Sequence, residues 1–101
     1  MYLNPTAIRP DWLVERVPTT DFTIAMRIAL RDAGLDAAVA ERMATNPPPK
    51  ARTDWAAFVQ QGTAHDELWY FRSPRAELAG RAGFVFVRAG TPIAAYVTSM
   101  G

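Results

Sequence analysis

The amino-acid sequence predicts an α+β fold, with two to three N-terminal helices packed on an antiparallel sheet of at least three strands. Three observations carry this. Apolar residues recur at helical spacing over the middle of the chain, behind good capping residues. From Glu67 onward the pattern changes to short runs dense in aromatic and β-branched residues. The runs are joined by connections too short for a parallel crossover, so neighbouring strands run antiparallel.

The first helix is predicted over Phe22–Ala33, with Thr19, Thr20 and Asp21 as capping types. Phe22, Ala25, Met26, Ala29 and Ala33 share one face, which Ile24, Ile28 and Leu30 widen; Thr23, Arg27 and Arg31 form a polar stripe. Gly34 ends it in the left-handed conformation. Asp36 caps a second helix, Ala37 to Thr45, which stops at Asn46-Pro47-Pro48-Pro49, a stiff extended spacer. Thr53 is the expected cap of a third helix, Asp54 to Gln61. Strands follow at Glu67–Arg72, Phe84–Arg88 and Ile93–Met100, the first of them central because it is apolar on both sides. Trp69 and Phe71 are expected to pack against Phe84 and Phe86. Alternation sets Phe84, Phe86 and Arg88 on one face of the sheet and Val85 and Val87 on the other, so a bare second face would call for a dimer.

With 101 residues, 50% hydrophobic and 21% charged, the chain reads as a single domain, residues 1–101, of which 1–18 form a proline-punctuated N-terminal arm. Pro5, Pro10 and Pro18 forbid a long helix there; Asp11–Val17 suits either a short helix behind Pro10 or an extended arm. The balance of 11 basic and 10 acidic residues lacks the field of a dedicated nucleic-acid binder. The helix pair around Gly34 has the outline of a helix-turn-helix, but Asp36, Glu41 and Arg42 among alanines make a poor groove reader, so nucleic acid is not an expected partner. The absence of cysteine removes thiolate chemistry and suits a reducing cytoplasm. A single histidine, His65, leaves no metal-ligand spacing. No apolar run reaches membrane-spanning length, the N-terminus lacks the pattern of a signal peptide, and no cofactor motif is present.

Residues 66–98 carry a pattern: Asp66-Glu67-Leu68-Trp69, Ser73-Pro74, Leu78-Ala79-Gly80-Arg81-Ala82-Gly83, Val87-Arg88 with Gly90, and Val97-Thr98. It resembles one that recurs in short uncharacterised bacterial proteins. The resemblance covers roughly the C-terminal third and implies no reaction.

Three constellations are candidates for function. His65 and Glu67 flank Asp66, the only place where an imidazole adjoins carboxylates, and are the candidate catalytic pair for general acid–base work. The structural alternative is a polar loop in which Asp66 or Glu67 holds a turn or an arginine. Arg72, Arg75 and Arg81 around the Ser73–Gly83 loop are candidates for binding a phosphate or carboxylate. Alternatively Arg81 pairs with Glu67 or Glu77 and fixes the loop. Tyr2 and Trp12, in the arm, are the candidate interface aromatics. Nucleophile, metal and nucleotide-loop motifs are all lacking. The expected function is therefore a small non-enzymatic partner-binding module, of inhibitor or immunity type, with a protein partner or a homodimer. The alternatives are a small hydrolase or nuclease-like enzyme using His65 and Glu67 with the arginines, and a binder of small anions at the Ser73–Gly83 loop.

Overall fold

The computed structural model describes residues 4–74 and 81–99, and of Ser99 the backbone alone. Within them lie three helices, α1 (Phe22–Asp32), α2 (Ala37–Thr45) and α3 (Pro49–Val59), and four strands, β1 (Leu13–Val17), β2 (Glu67–Arg72), β3 (Ala82–Arg88) and β4 (Thr91–Ser99). The strands form one antiparallel sheet in chain order, β1-β2-β3-β4. The fold is α+β, as the sequence predicts, with β2 interior. No helix among the described residues is long and apolar enough to cross a membrane.

Local chemistry places the first two helices. The Asp21 carboxylate accepts from the Ile24 amide at 3.1 Å, and Asp36 accepts from the Ala38 amide at 2.9 Å, so each helix start satisfies one of its unpaired donors. Gly34 takes φ +79° between them, where an L side chain is strained. The third helix departs from prediction and begins at Pro49 rather than Asp54. Proline suits a first helical position, where its missing N–H costs nothing. Thr53 is thus inside the helix, and its hydroxyl donates to the Pro49 carbonyl at 3.2 Å.

The N-terminal arm departs further. Both readings of Asp11–Val17 are met in part: Pro10–Trp12 is a short 3-10 turn, and Leu13–Val17 is extended, but as β1, paired with β2 from Leu13↔Phe71 to Val17↔Leu68 with a bulge between Leu13 and Glu15. One strand therefore precedes the helices. At the other side of the sheet, Ala89 (φ 50°) and Gly90 (φ 81°) make a two-residue hairpin connection, and β4 begins directly at Thr91. Two positive φ values in succession match the twist of the flanking strands.

The sheet buries both faces. On the helix side, Trp55 stands at the centre of an aromatic cluster, edge-on to Phe84 (5.1 Å) and Phe22 (6.2 Å) and tilted on Phe58 (5.3 Å). Its indole N–H donates to the Thr20 carbonyl at 2.8 Å. Ala40 and Ala44 are the buried residues of α2, and small side chains let a helix approach its neighbour closely; across the α1–α2 seam Arg27 grips Glu41 with two hydrogen bonds, 2.9 and 2.6 Å. On the opposite side, Phe71, Val85, Val87, Ala95 and Val97 are buried together with Ile8 and Trp12 from the N-terminal segment. Trp69 and Phe71 therefore do not share a face with Phe84 and Phe86: the register sets Trp69 against Val85 and Phe71 against Gly83. The motive for a dimer, a bare second face, is removed by the chain's own residues 8–13. Trp12, expected at an interface, is only 3% exposed. Tyr2 lies outside the described residues.

Candidate functional site

At the start of β2, Asp66 is the organising group. Its carboxylate accepts from the Thr63 amide at 2.7 Å and from Arg88 through two bonds, 2.7 and 2.9 Å. The Arg88 fork, helped by the Thr63 amide and opposed by burial, holds the Asp66 carboxyl down to about 2. Glu67 accepts from the Trp69 indole at 3.0 Å and pairs with Arg16 at 3.3 Å, so Arg16 and not Arg81 is its cation. His65 is exposed, and its described hydrogen bond is made by its backbone amide, to the Thr63 hydroxyl at 3.3 Å. Neither carboxylate is turned to the imidazole. The arrangement fixes a turn and a strand entry.

The arginine candidates stand elsewhere. Arg72 donates to Asp32 at 2.6 Å, and Tyr70 donates to the other oxygen of the same carboxylate at 2.7 Å. This triad pins the end of α1 to β2 and ties one arm of the Arg72 guanidinium to a carboxylate from its own chain. Burial, and then Asp32, push the Tyr70 hydroxyl above its usual range and keep it a donor. From Glu67 to Arg72 is five strand steps, roughly 16–17 Å. His65 and Glu67 thus sit at one end of β2, Arg72 and Arg81 at the other, and the four side chains do not converge. Arg75 lies outside the described residues. Arg81 is half-buried, and its Nε has no acceptor among the described residues. Among the described residues no three histidine or carboxylate groups gather as a metal site would need.

Among the concavities of the described residues, two border the helix face of the sheet. A shallow polar basin of about 380 Å³ opens beside Asp66 between Arg16, Thr20 and Thr63. A second, of about 280 Å³ and largely apolar, runs along β4, walled by Phe22, Met26 and Leu30 of α1, Met43 of α2, and Pro47, with Tyr96 and Thr98 as its floor. None of His65, Glu67, Arg72 and Arg81 lines either one. Met43 is 48% exposed on the groove's rim.

The groove adjoins a sheet edge, and the two edges differ in chemistry. β1 has five residues, a bulge, and the charged pair Glu15 and Arg16. β4 has nine residues and no charge. Among the described residues no strand pairs with its outer side. Short, bulged, charged edges discourage strand addition; long uncharged ones invite it. The lack of charge in Thr91–Ser99 is visible in the sequence, whereas the groove is built from three separate segments and is not.

No family model, curated protein or solved structure matches the chain.

Proposed function

We propose that this chain is a non-catalytic protein-binding module that receives an extended, uncharged, apolar segment of a partner protein along β4 and in the adjoining groove. The observation that carries this reading is the pairing of an uncharged nine-residue edge strand with an apolar trough beside it. Strand addition draws affinity from main-chain hydrogen bonds and selectivity from pockets for alternate side chains. At about 280 Å³ the groove is at or below the low end of small-molecule pockets, ~300 Å³, and suits one or two side chains of a strand. Methionines at the rim adapt to different apolar partners. Such a module acts by covering part of its partner, as inhibitors and immunity proteins do. The lack of cysteine favours a cytoplasmic setting.

The test is a fluorescence-anisotropy screen of extended peptides, with light scattering to fix the oligomeric state. The expected result is a monomer that binds a subset of uncharged apolar peptides. Met43→Glu, which alters an exposed residue, should weaken binding at least tenfold, about 1.4 kcal/mol, without unfolding the chain. A stable dimer that Met43→Glu dissociates would assign the groove to a second copy and overturn the reading. So would peptide binding that Met43→Glu leaves unchanged, or no binding at all.

A further inference from the structure

The face opposite the helices carries two buried nitrogen donors that are unmatched among the described residues. There, the indole Nε1 of Trp12 and the guanidinium Nε of Arg81 have no hydrogen-bond partner. Buried polar groups are nearly always satisfied, so two orphans in one small region ask for an acceptor.

Register brings them together. The Ser73 amide donates to the Arg81 carbonyl at 2.8 Å, which extends the β2–β3 ladder by one pair beyond Arg72↔Ala82. Side chains alternate along a strand, so Ser73 and Arg81 project to the same face as Phe71 and Gly83. That is the face on which Trp12 packs with Phe71. Trp12 immediately precedes Leu13, which pairs with Phe71, so it lies at this same end of the sheet. Trp12 and Arg81 therefore flank β2 from its two sides, two strand spacings apart, about 10 Å between backbones. At that backbone spacing, an indole and a guanidinium on the same face are both within side-chain reach of a single small group over Ser73.

Other donors show what is missing. Trp69, on the same face, meets Glu67, and Arg72, on the helix face, meets Asp32. The Ser73 hydroxyl is bonded to the Arg81 carbonyl at 3.1 Å. The orphaning belongs to this one corner and not to the face. The two unbonded nitrogens there are donors only. Arg81 as a residue is half-buried, while its Nε is itself sealed from solvent.

We propose that Trp12 and Arg81 form a binding site for a small oxyanion, a carboxylate or phosphate group, whose oxygens take the indole N–H and the guanidinium fork. Arg72 has no part in it, being committed to Asp32 on the other face. The site is independent of the β4 groove.

The experiment is thermal denaturation of the full chain with inorganic phosphate, acetate or citrate, each against sodium chloride at equal ionic strength. At least one oxyanion should raise the midpoint by several degrees, saturably, with phosphate and carboxylates compared to name the preferred group. Trp12→Phe keeps an aromatic ring and removes the donor together with some buried ring atoms, so its ligand-free midpoint should fall modestly. Measured against that variant's own ligand-free midpoint, the anion should bind about tenfold more weakly. Arg81→Gln should abolish the shift. If no oxyanion stabilises beyond the chloride control, or if both variants respond as the parent does, the site does not exist. An ordered water bonded to both nitrogens, and not displaced by any anion, would likewise overturn it.

Discussion

The two faces of the sheet each bury a tryptophan, and the two rings are treated differently. Trp55, on the helix face, has aromatic neighbours on several sides and a carbonyl for its N–H at 2.8 Å. Trp12, on the other face, is equally buried, but its N–H has no partner among the described residues. Where every polar atom is satisfied, a buried aromatic serves packing alone. Where a donor is buried and left open, the fold carries a cost that only an incoming acceptor removes. The contrast separates the part of the molecule that holds it together from the part that is prepared to bind.

The largest expected effect comes from breaking the satisfied face. Trp55→Ala removes the centre of the aromatic cluster and its bond to Thr20, and should cost about 3–5 kcal/mol in urea unfolding. In a domain whose total stability is typically about 5–15 kcal/mol, that variant is marginal at 37 °C. A loss under about 1 kcal/mol would mean that the helix face is not the principal core.

Tyr70 sharpens the comparison on a smaller scale. It is 2% exposed and donates to Asp32. Tyr70→Phe keeps the ring and deletes one satisfied donor, so it should cost about 1 kcal/mol. Trp12→Phe deletes an unsatisfied donor, so its loss should reflect only the packing of the missing ring atoms. A Tyr70→Phe loss near zero in the same denaturant series would erase the distinction.

Asp66 adds a pH signature at the far end of β2. Its folded value of about 2 lies below the ordinary value of about 3.9 for an aspartate. A depressed carboxylate stabilises the fold fully above the unfolded value, and that contribution is lost as pH falls through the folded value. Asp66→Asn should therefore lower the thermal midpoint at pH 7, and its deficit relative to the parent should shrink between about pH 4 and pH 2. A deficit constant across that window would show that the Arg88 and Thr63 bonds do not depend on charge.

Much of this architecture is legible in the chain. The caps at Asp21 and Asp36, the turn at Gly34, and the strands after Glu67 follow from local residue chemistry. β1 was not legible, because five residues with mixed polarity become a strand only when β2, some fifty positions later, supplies the hydrogen bonds. The α3 start was obscured because Pro49 and Thr53 both serve as helix-start signals and only packing decides between them. The candidate sites show the same division. His65, Asp66 and Glu67 are neighbours in sequence, yet successive residues entering a strand point to opposite sides, and their partners Arg16 and Arg88 come from β1 and β3. Arg72 finds Asp32 forty residues away, which no spacing rule reveals. The lack of charge in β4 was readable all along; that β4 would be an edge strand beside a groove was not.

The most direct measurement is a nitrogen–proton spectrum of the three tryptophan indoles, assigned by single Trp→Phe variants and followed during titration with the preferred oxyanion. The Trp55 signal should show a hydrogen-bonded shift throughout. The Trp12 signal should lack that shift in the free chain, exchange slowly because it is buried, and move to a hydrogen-bonded position as the anion is added. A Trp12 indole that is already hydrogen-bonded in the free chain, and indifferent to every anion, would contradict the account.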